Sequence, residues 1–360
     1  MLKYFNDHSL GLNFPKSSYL IINGGEEDIK CDLLLDCGIL EYKPSSVYLG
    51  AVVSDTGSIS HDVEEFVNGK RPQVTIKYNN FVRKNYLAPL NIKLRVLDAC
   101  VSSTLVYASE TWGMSNVSSV EVPYRYGLKW ALSLRDTTNT EIVYVESDRY
   151  PVSIRITKQQ LKFWTTLNTY LQENPDHPLS PLIEQGRNIN LKYIAYYDKL
   201  ERDYATPQNC QEHLREKFRN ESEARIRQKA GGDVDSRFGI YCDVNPQATP
   251  PVQRSDIFER ERIIVSRYRS GSHNLRIETG RMCNPTILRE DRLCCCQSGI
   301  QSLRHVLFDC PLLVELHREY EFISVEDAFN RDDIAKFLIE MERVLGIVWF
   351  QLVYSEIYLT

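Results

Sequence analysis

The sequence predicts a mostly helical α+β fold, in which a small N-terminal β-hairpin and sheet precede a long helical region. Three observations lead to this prediction. Short runs of β-prone residues occur before residue 58. Apolar residues then recur at helical spacing from residue 60 onwards. A compact segment rich in cysteine and histidine, residues 294–310, separates these helices from two more near the end of the chain.

The N-terminal sheet is predicted from three short apolar runs. Asn23-Gly24, which follows the first run, is a strong hairpin signal because both residues tolerate positive φ angles. A sheet this small has little to pack against, which suggests that the fold is part of a larger one. The runs occupy residues 18–22, 32–40 and 47–53.

The helical region is predicted from apolar periodicity and from capping residues. Its first helix begins at Ser60, whose hydroxyl can cap it, and Glu64 and Glu65 fall in its first turns. Glycines at 231–232 and the stretch 245–251 interrupt the pattern, and the second of these is a candidate linker. The further predicted helices are 91–108, 117–134, 155–172, 192–204, 207–229 and 254–268.

The composition is that of a globular chain large enough for two or three modest domains. It has 360 residues, of which 42% are hydrophobic and 25% are charged. The net charge of −5 counts against a protein that coats nucleic acid indiscriminately. The stretch 69–95 nevertheless contains seven lysines and arginines and no acidic residue, and 259–281 mixes six arginines with three glutamates. A solvated helix face accounts for either stretch equally well.

Three features bear on where the protein works. The N-terminal sequence MLKYFNDHSL is too polar for a signal peptide. The apolar run at 344–354 is too short to cross a bilayer. The ten cysteines, without a secretory signal, favour a reducing compartment. We therefore expect an intracellular protein, nuclear or cytoplasmic, that is neither secreted nor a membrane protein.

The strongest chemical signal is the cysteine-rich and histidine-rich segment. Cys294 and Cys296 supply two thiols, Ser298-Gly299 supplies a turn, and His305 and Cys310 follow at a spacing that suits a short helix. Thiolates and imidazole together suit Zn²⁺, which is borderline soft and prefers tetrahedral sites. Four protein ligands leave no open coordination position, so the predicted zinc is structural.

The first pair of ligands is not settled by the sequence. A usual pair is separated by two to four residues, whereas Cys294, Cys295 and Cys296 are consecutive. The single residue between Cys294 and Cys296 makes that pair tight, and adjacent cysteines are worse. Cys283 is a more distant substitute. Buried thiols beside a core histidine would give the same pattern without a metal.

Several short motifs follow one another in a specific order. The upstream motifs are GLNFPKS at 11–17, Tyr48-Leu49-Gly50, and LVYASETW at 105–112. The downstream motifs are RIETGR at 276–281, REDRLC at 289–294 and HVLFDCP at 305–311. This order resembles the C-terminal part of the reverse transcriptases of non-LTR (LINE-type) retrotransposons. Ala108 stands where that family commonly has glycine, and residues 175–255 match only in helical character.

The resemblance implies a succession of five parts along the chain. The end of the reverse transcriptase palm, with its primer-grip hairpin, would come first and would be followed by a helical thumb. A helical linker region, a CCHC zinc knuckle and C-terminal helices would complete the chain. The corresponding ranges are 1–58, 59–150, 151–280, 281–320 and 321–360.

The resemblance also implies binding to RNA and DNA, as template–primer duplex and as target DNA. Polymerase chemistry in that family needs paired aspartates that hold two Mg²⁺ ions, and that motif would precede residue 11. Mg²⁺ would therefore be bound only by the intact polymerase, and we expect no catalysis by this chain alone. The one Asp-Asp pair of the sequence, Asp332-Asp333, is typical of a helix N-terminus.

Particular residues would carry these contacts if the resemblance holds. Tyr48, Leu49 and Gly50 would touch the primer end in an intact polymerase. The basic stretch would lie along the duplex through Lys70, Arg71, Lys77, Arg83 and Lys84, and the knuckle would hold RNA or target DNA through Arg281, Arg292 and Arg304. An alternative from a different class is a zinc-stapled helical remnant or protein-interaction scaffold, which the sequence pI of about 5.9 favours.

Overall fold

The structure is a computed structural model that divides into two compact units, each assembled from separate stretches of chain. Unit 1 comprises Met1–Ile76, Ser102–Pro123 and Arg155–Cys210, and unit 2 comprises Lys77–Val101, Tyr124–Ile154 and Gln211–Thr360. The predicted five-part order along the chain stays a prediction. The structure describes residues 8, 13–22, 24–25, 30–35, 38–48, 51–57, 73–114, 117–246 and 258–347.

Five short strands form the β-structure of the described residues in unit 1. The strands β1 to β3 make one sheet in the order β1-β3-β2, in which β1 and β3 are parallel and β2 and β3 antiparallel. The strands β4 and β5 form an antiparallel pair. The bounds are β1 Ser18–Tyr19, β2 Leu33–Leu35, β3 Gly38–Tyr42, β4 Ser45–Tyr48 and β5 Ala51–Ser54.

The strand predictions were partly wrong. The hairpin predicted after the first run is wrong, because β1 pairs in parallel with β3 and not with β2. Asn23 itself lies outside the described residues. The runs at 32–40 and 47–53 each contribute to two strands. The second run supplies much of the β4–β5 pair, where Tyr48 faces Ala51. Leu49 and Gly50, between these strands in sequence, lie outside the described residues.

Most described residues are helical, which confirms the predicted fold class. Additional 3₁₀ or π turns lie at Phe14–Lys16, Leu97–Ser102, Arg289–Asp291, His305–Asp309 and Pro311–Leu313. The helices are α1 (residues 73–84), α2 (Leu90–Val96), α3 (Ser103–Leu105), α4 (Ser109–Trp112), α5 (Ser118–Leu132), α6 (Thr140–Ser147), α7 (Val152–Glu173), α8 (Leu179–Asn188), α9 (Lys192–Asp203), α10 (Pro207–Ala230), α11 (Arg237–Val244), α12 (Glu259–Arg269), α13 (Arg276–Thr279), α14 (Val314–Tyr320), α15 (Val325–Asn330) and α16 (Ile334–Val344).

The helix predictions agree with these bounds to within a few residues, with one internal difference. The predicted 91–108 helix contains a π turn from Leu97 to Ser102 and ends before Ala108, whose φ of 54° is left-handed. The predicted helix that begins at Ser60, and with it Lys70 and Arg71, lies outside the described residues. No helix in the described part of the chain is both long and apolar enough to cross a membrane.

Unit 1 has a small aromatic core among its described helices. The indole of Trp164 stacks on Tyr197, with 5.1 Å between ring centroids. The indole Nε1 donates a hydrogen bond to Asp198, and Ile194 and Met114 pack against the same cluster. Aromatic stacking adds to the burial of these large side chains, and this core holds α7 to α9 together.

The largest core of unit 2 lies around its C-terminal helices. Helix α12 packs on α16 and α11 packs on α15, and all four contribute to one buried cluster that includes Tyr268, Phe337 and Leu338. Cys294 and Cys310 belong to the same buried cluster. The cysteine-rich and histidine-rich segment, residues 294–310, therefore packs into this core and is not an isolated loop.

Candidate metal centre

The first half of the candidate centre is a tight hairpin tip. Leu293 and Ile300 form an antiparallel bridge, and the Cys294 amide donates to the Gly299 carbonyl oxygen at 2.8 Å. Gln297 turns the chain with a left-handed φ of 60°, and its amide donates to the Cys294 carbonyl at 2.9 Å. The turn folds the chain back within a few residues, which is how two closely spaced thiols come to face one point.

The second half is a π turn that spans His305–Asp309. The Cys310 amide donates to the His305 carbonyl at 2.8 Å, five residues back. In an α-helix, positions five apart point in directions about 140° apart. The wider π turn brings such positions close to one side, which explains how His305 and Cys310 can serve one site.

A metal ion could be held by four residues whose ligand atoms all lie within 4.8 Å of one another, namely Cys294, Cys296, His305 and Cys310. The closest approaches are 3.2 Å between Cys296 Sγ and His305 Nε2 and 3.8 Å between the Sγ atoms of Cys294 and Cys310. Three of the four residues are buried, and Cys296 is partly exposed. A Cβ added at Gly299 would lie 3.3 Å from His305 Nδ1, so this glycine lets the turn approach the imidazole closely.

The thiols differ in how readily they ionise without a metal. Burial raises the pKa of Cys294 to about 12, and burial also raises the pKa of Cys310. Desolvation works in the same direction at Cys296, but hydrogen bonds with Ser298, Cys294 and His305 outweigh it and lower the pKa to about 6. A metal ion would have to displace protons from the two buried thiols, because zinc binds cysteine as thiolate.

The structure separates the alternative cysteines from the cluster. Cys295 is exposed, and although its Sγ lies 4.0 Å from that of Cys294, it does not belong to the set of four. Cys283 is also exposed, and its thiol contacts the Thr279 carbonyl at 3.5 Å. The predicted ligands Cys294 and Cys296 are therefore the pair that shares a site with His305 and Cys310.

Two side chains support the thiols, although the sequence indicated Ser298 only as part of a turn and did not indicate Gln301. The Ser298 hydroxyl lies 3.0 Å from Cys296 Sγ, and its amide donates to the same sulfur at 3.5 Å. The buried Gln301 amide approaches Cys294 Sγ at 3.9 Å while its oxygen accepts from the Arg276 amide at 2.9 Å. The position of Ser298, two residues after a ligand cysteine, is the sequence signal that could have identified it.

The arginines predicted to surround the metal segment make contacts within the protein. Arg292 is buried, and its guanidinium donates to the carbonyl oxygens of Ile277 and Ile287 at 2.8–3.1 Å. Arg281 pairs with Glu278, and Arg304 pairs with Asp243. These guanidinium groups therefore have acceptors in the protein itself, and Arg292 in particular holds the hairpin against α13.

The basic residues of α1 are placed differently. Lys77, Arg83 and Lys84 are exposed on one side of the helix together with Asn80, while Tyr78 and Val82 are buried on the other side. Within the described part of the chain, none of the three cations has an ion-pair partner. Nearby Lys93 differs, because it is fully buried and bonded to Glu259 at 2.8 Å. The basic stretch thus combines a solvated face with one structural cation.

Comparison with known proteins found no relative of this chain. No protein-family model matches the chain, and no curated protein or solved structure matches it. The fold class and the cluster of four potential ligands are therefore known from the structure alone and not from a relative. The relationship to retrotransposon reverse transcriptases stays a prediction that depends on the order of the motifs.

Proposed function

We propose that this chain is a non-catalytic, nucleic-acid-binding fragment related to non-LTR retrotransposon reverse transcriptases and stabilised by a structural zinc. The observation that carries the proposal is the convergence of Cys294, Cys296, His305 and Cys310 within 4.8 Å. Cys294 ends the REDRLC motif, and His305 and Cys310 belong to the HVLFDCP motif, both of which resemble the family's knuckle. Cys296 follows the first motif by two residues.

Zinc is the metal that this donor set favours. Three thiolates and one imidazole match the Cys₃His structural class, and zinc accepts both ligand types in tetrahedral geometry. Hard cations such as Mg²⁺ and Ca²⁺ prefer oxygen ligands and would not select this site. With four protein ligands, no position is left for a reacting water, so the zinc would fix the hairpin to the π turn.

Nucleic-acid binding is supported by the exposed face of α1. Lys77, Arg83 and Lys84 present three cations on one side of the helix with no carboxylate among them. Regularly placed cations of this kind suit the phosphates of a duplex backbone, and such contacts carry no sequence information. The partner would be template–primer duplex, in keeping with the thumb that the motifs resemble.

The α1 contacts can be tested by their salt dependence. We expect the triple variant Lys77→Ala, Arg83→Ala, Lys84→Ala to lower the slope of log K against log salt by about three units, about one for each lost phosphate contact. The matched control is Lys217→Ala, Arg225→Ala, Arg227→Ala, which removes the same charge from cations that pair with Glu221 or Glu223. Equal slopes for parent and α1 variant in fluorescence anisotropy titrations on primed template would refute the assigned face.

The proposal includes the absence of polymerase activity from this chain. Asp332 and Asp333 precede α16, and Asp333 occupies its N-cap position, where its carboxylate makes no capping hydrogen bond but pairs with Arg331 at 2.6 Å. The Asp333 carboxylate is therefore occupied by a guanidinium, which does not resemble a two-metal site. We expect no primer extension with primed RNA, dNTPs and Mg²⁺. Extension that is abolished by a carboxylate substitution in this chain would contradict the proposal.

A zinc-stapled scaffold without a nucleic-acid role is the second candidate. It is favoured by the internal pairing of Arg281, Arg292 and Arg304, because each of these predicted knuckle cations has an acceptor within the protein. The anisotropy titration separates the two candidates. A scaffold would bind primed template no more tightly than the α1 variant does, while retaining its metal.

A further inference from the structure

Three cysteines at the candidate metal centre form a row of sulfur contacts that leads from solvent into the protein. Cys295 Sγ lies 4.0 Å from Cys294 Sγ, and Cys294 Sγ lies 3.8 Å from Cys310 Sγ. Cys295 is exposed, whereas Cys294 and Cys310 are 2% and 0% exposed. The thiol of this row that solvent reaches is therefore the one outside the set of four potential ligands.

The hairpin tip determines which of the two adjacent thiols faces solvent. The Cys294 amide donates to the Gly299 carbonyl oxygen at 2.8 Å, and the Cys294 carbonyl oxygen accepts from the Gln297 amide at 2.9 Å. The Cys295 thiol, by contrast, has no contact other than Cys294 Sγ within the described part of the chain. Reactive cysteines are accessible ones, so Cys295 is the thiol of the row that an external reagent meets first.

Cys296, which is partly exposed, is held in a different way. Its Sγ lies 3.0 Å from the Ser298 hydroxyl and 3.2 Å from His305 Nε2. These contacts keep the sulfur at the point where the four potential ligands converge. Cys296 is therefore less available to an external reagent than Cys295.

We propose that Cys295 is a thiol–disulfide exchange site, through which a small disulfide oxidises Cys294 and Cys310 and so releases the metal. The co-reactant is a low-molecular-weight disulfide of the glutathione type, which accepts the two electrons. Release of metal rests on the zinc of the proposed function, whereas the sulfur contacts that carry the exchange are present in the structure itself.

The exchange consists of three substitutions at sulfur. The Cys295 thiolate attacks one sulfur of the small disulfide, so that a mixed disulfide forms and one small thiolate leaves. Cys294 Sγ, 4.0 Å away, attacks the Cys295 sulfur, and the second small thiolate leaves. Cys310 Sγ, 3.8 Å from Cys294 Sγ, attacks that sulfur and displaces Cys295 as a thiolate. Cys294 and Cys310 have then lost two electrons, and the two small thiolates have gained them and take up protons from water.

The last substitution is favoured because a disulfide between adjacent residues is strained. Neighbouring Cα atoms are about 3.8 Å apart, below the range of about 4.4–6.8 Å that disulfides usually span. A strained disulfide is more easily reduced, so Cys294–Cys295 gives way to Cys294–Cys310. Zinc binds cysteine as thiolate, and the two ligands that remain, Cys296 and His305, do not complete a tetrahedral site.

The rate of zinc release tests the entry site. The zinc-loaded chain is freed of reductant and incubated with oxidised glutathione beside a chromogenic zinc chelator. The parent should release its zinc, and Cys295→Ser should lower the initial rate about tenfold, because attack must then begin at the partly exposed Cys296 or at a buried thiol. Cys283→Ser is the matched control, since Cys283 is an exposed cysteine of the same unit outside the set of four. It should release zinc at the parental rate.

Mass spectrometry identifies the sulfurs that react. Trypsin yields the peptides Leu293–Arg304 and His305–Arg318, and the second of these has a single cysteine. After alkylation of free thiols, we expect one disulfide between the two peptides, which fragmentation assigns to Cys294. Brief incubation should place the glutathione adduct on Cys295. An adduct that appears first on Cys296, or a disulfide that uses Cys296, would contradict the exchange site.

Reversibility distinguishes disulfide formation from further oxidation. Dithiothreitol followed by added zinc should restore one zinc per chain, because a disulfide is reduced by thiols whereas a sulfinic acid is not. Oxidised chain that does not recover its metal would contradict the exchange.

Two results separate the exchange site from the proposed zinc. A parent chain that holds no zinc as purified contradicts the proposed zinc, and the peptides of that metal-free chain then test the exchange alone, which the absence of the disulfide between them would overturn. A zinc-loaded parent that keeps its metal in oxidised glutathione, or a Cys295→Ser variant that loses it at the parental rate, overturns the exchange site and leaves the zinc assignment intact.

Discussion

Replacing Cys310 by serine should release the metal and loosen residues 290–318. Cys310 is fully buried, and it joins the π turn to the hairpin through the cluster of four ligands. Structural zinc contributes on the order of 10–16 kcal/mol of apparent binding free energy in small zinc-finger peptides, so the loss of one ligand has a large local effect. Hydrogen exchange followed by mass spectrometry should show faster exchange in this segment and unchanged protection around Trp164 and Tyr197 in unit 1.

Cys295→Ser is the matched control for this substitution. Cys295 lies beside two ligands in sequence, but its side chain is exposed and outside the set of four. We expect this variant to keep its metal and its protection pattern. Metal loss in Cys295→Ser, combined with retention in Cys294→Ser or Cys296→Ser, would keep a metal site and show that its ligands are assigned wrongly.

The second large effect is expected at a buried ion pair in unit 2. Glu259 at the start of α12 accepts from Lys93 Nζ at 2.8 Å, and Lys93 is fully buried. Glu259→Ala leaves that ammonium without its carboxylate, and an uncompensated buried charge of this kind costs about 3–5 kcal/mol. Urea denaturation should therefore show a clearly lower free energy of unfolding.

Lys93→Met should be much milder than Glu259→Ala. Methionine fills a similar volume without a charge, and Glu259 keeps both of its hydrogen bonds from Arg262, at 2.8 and 2.9 Å. The asymmetry between the two variants is the test. If both variants lowered the free energy of unfolding equally, the two hydrogen bonds from Arg262 would not be enough to compensate the buried Glu259 carboxylate. That result would contradict the prediction.

The helices could be predicted from sequence because their signals are local. Apolar periodicity and the capping residues lie within each segment, and the helix that contains Trp164 and Leu171 was predicted to within three residues at each end. The strands could not be predicted in the same way. Their pairing is non-local, so the parallel contact of Ser18 and Tyr19 with β3 left no signal beside Asn23-Gly24.

The four candidate metal ligands could be predicted from residue types, but the geometry that brings them together could not. The thiols and imidazole were evident in the sequence, whereas the π turn that aligns His305 with Cys310 has no recognisable pattern. The burial of charged side chains was the least predictable property. Arg292 and Lys93 look like surface cations in the sequence, yet both are buried by contacts with residues distant in the chain. Burial of this kind depends on tertiary packing and not on local composition.

We propose that a structural zinc joins Cys294 and Cys296 to His305 and Cys310. The most direct measurement is the metal content of the chain, determined by inductively coupled plasma mass spectrometry after purification without added zinc. We expect one zinc per chain in the parent and in Cys295→Ser, and a content near zero in Cys310→Ser. A parent chain that folds and contains no zinc would contradict it.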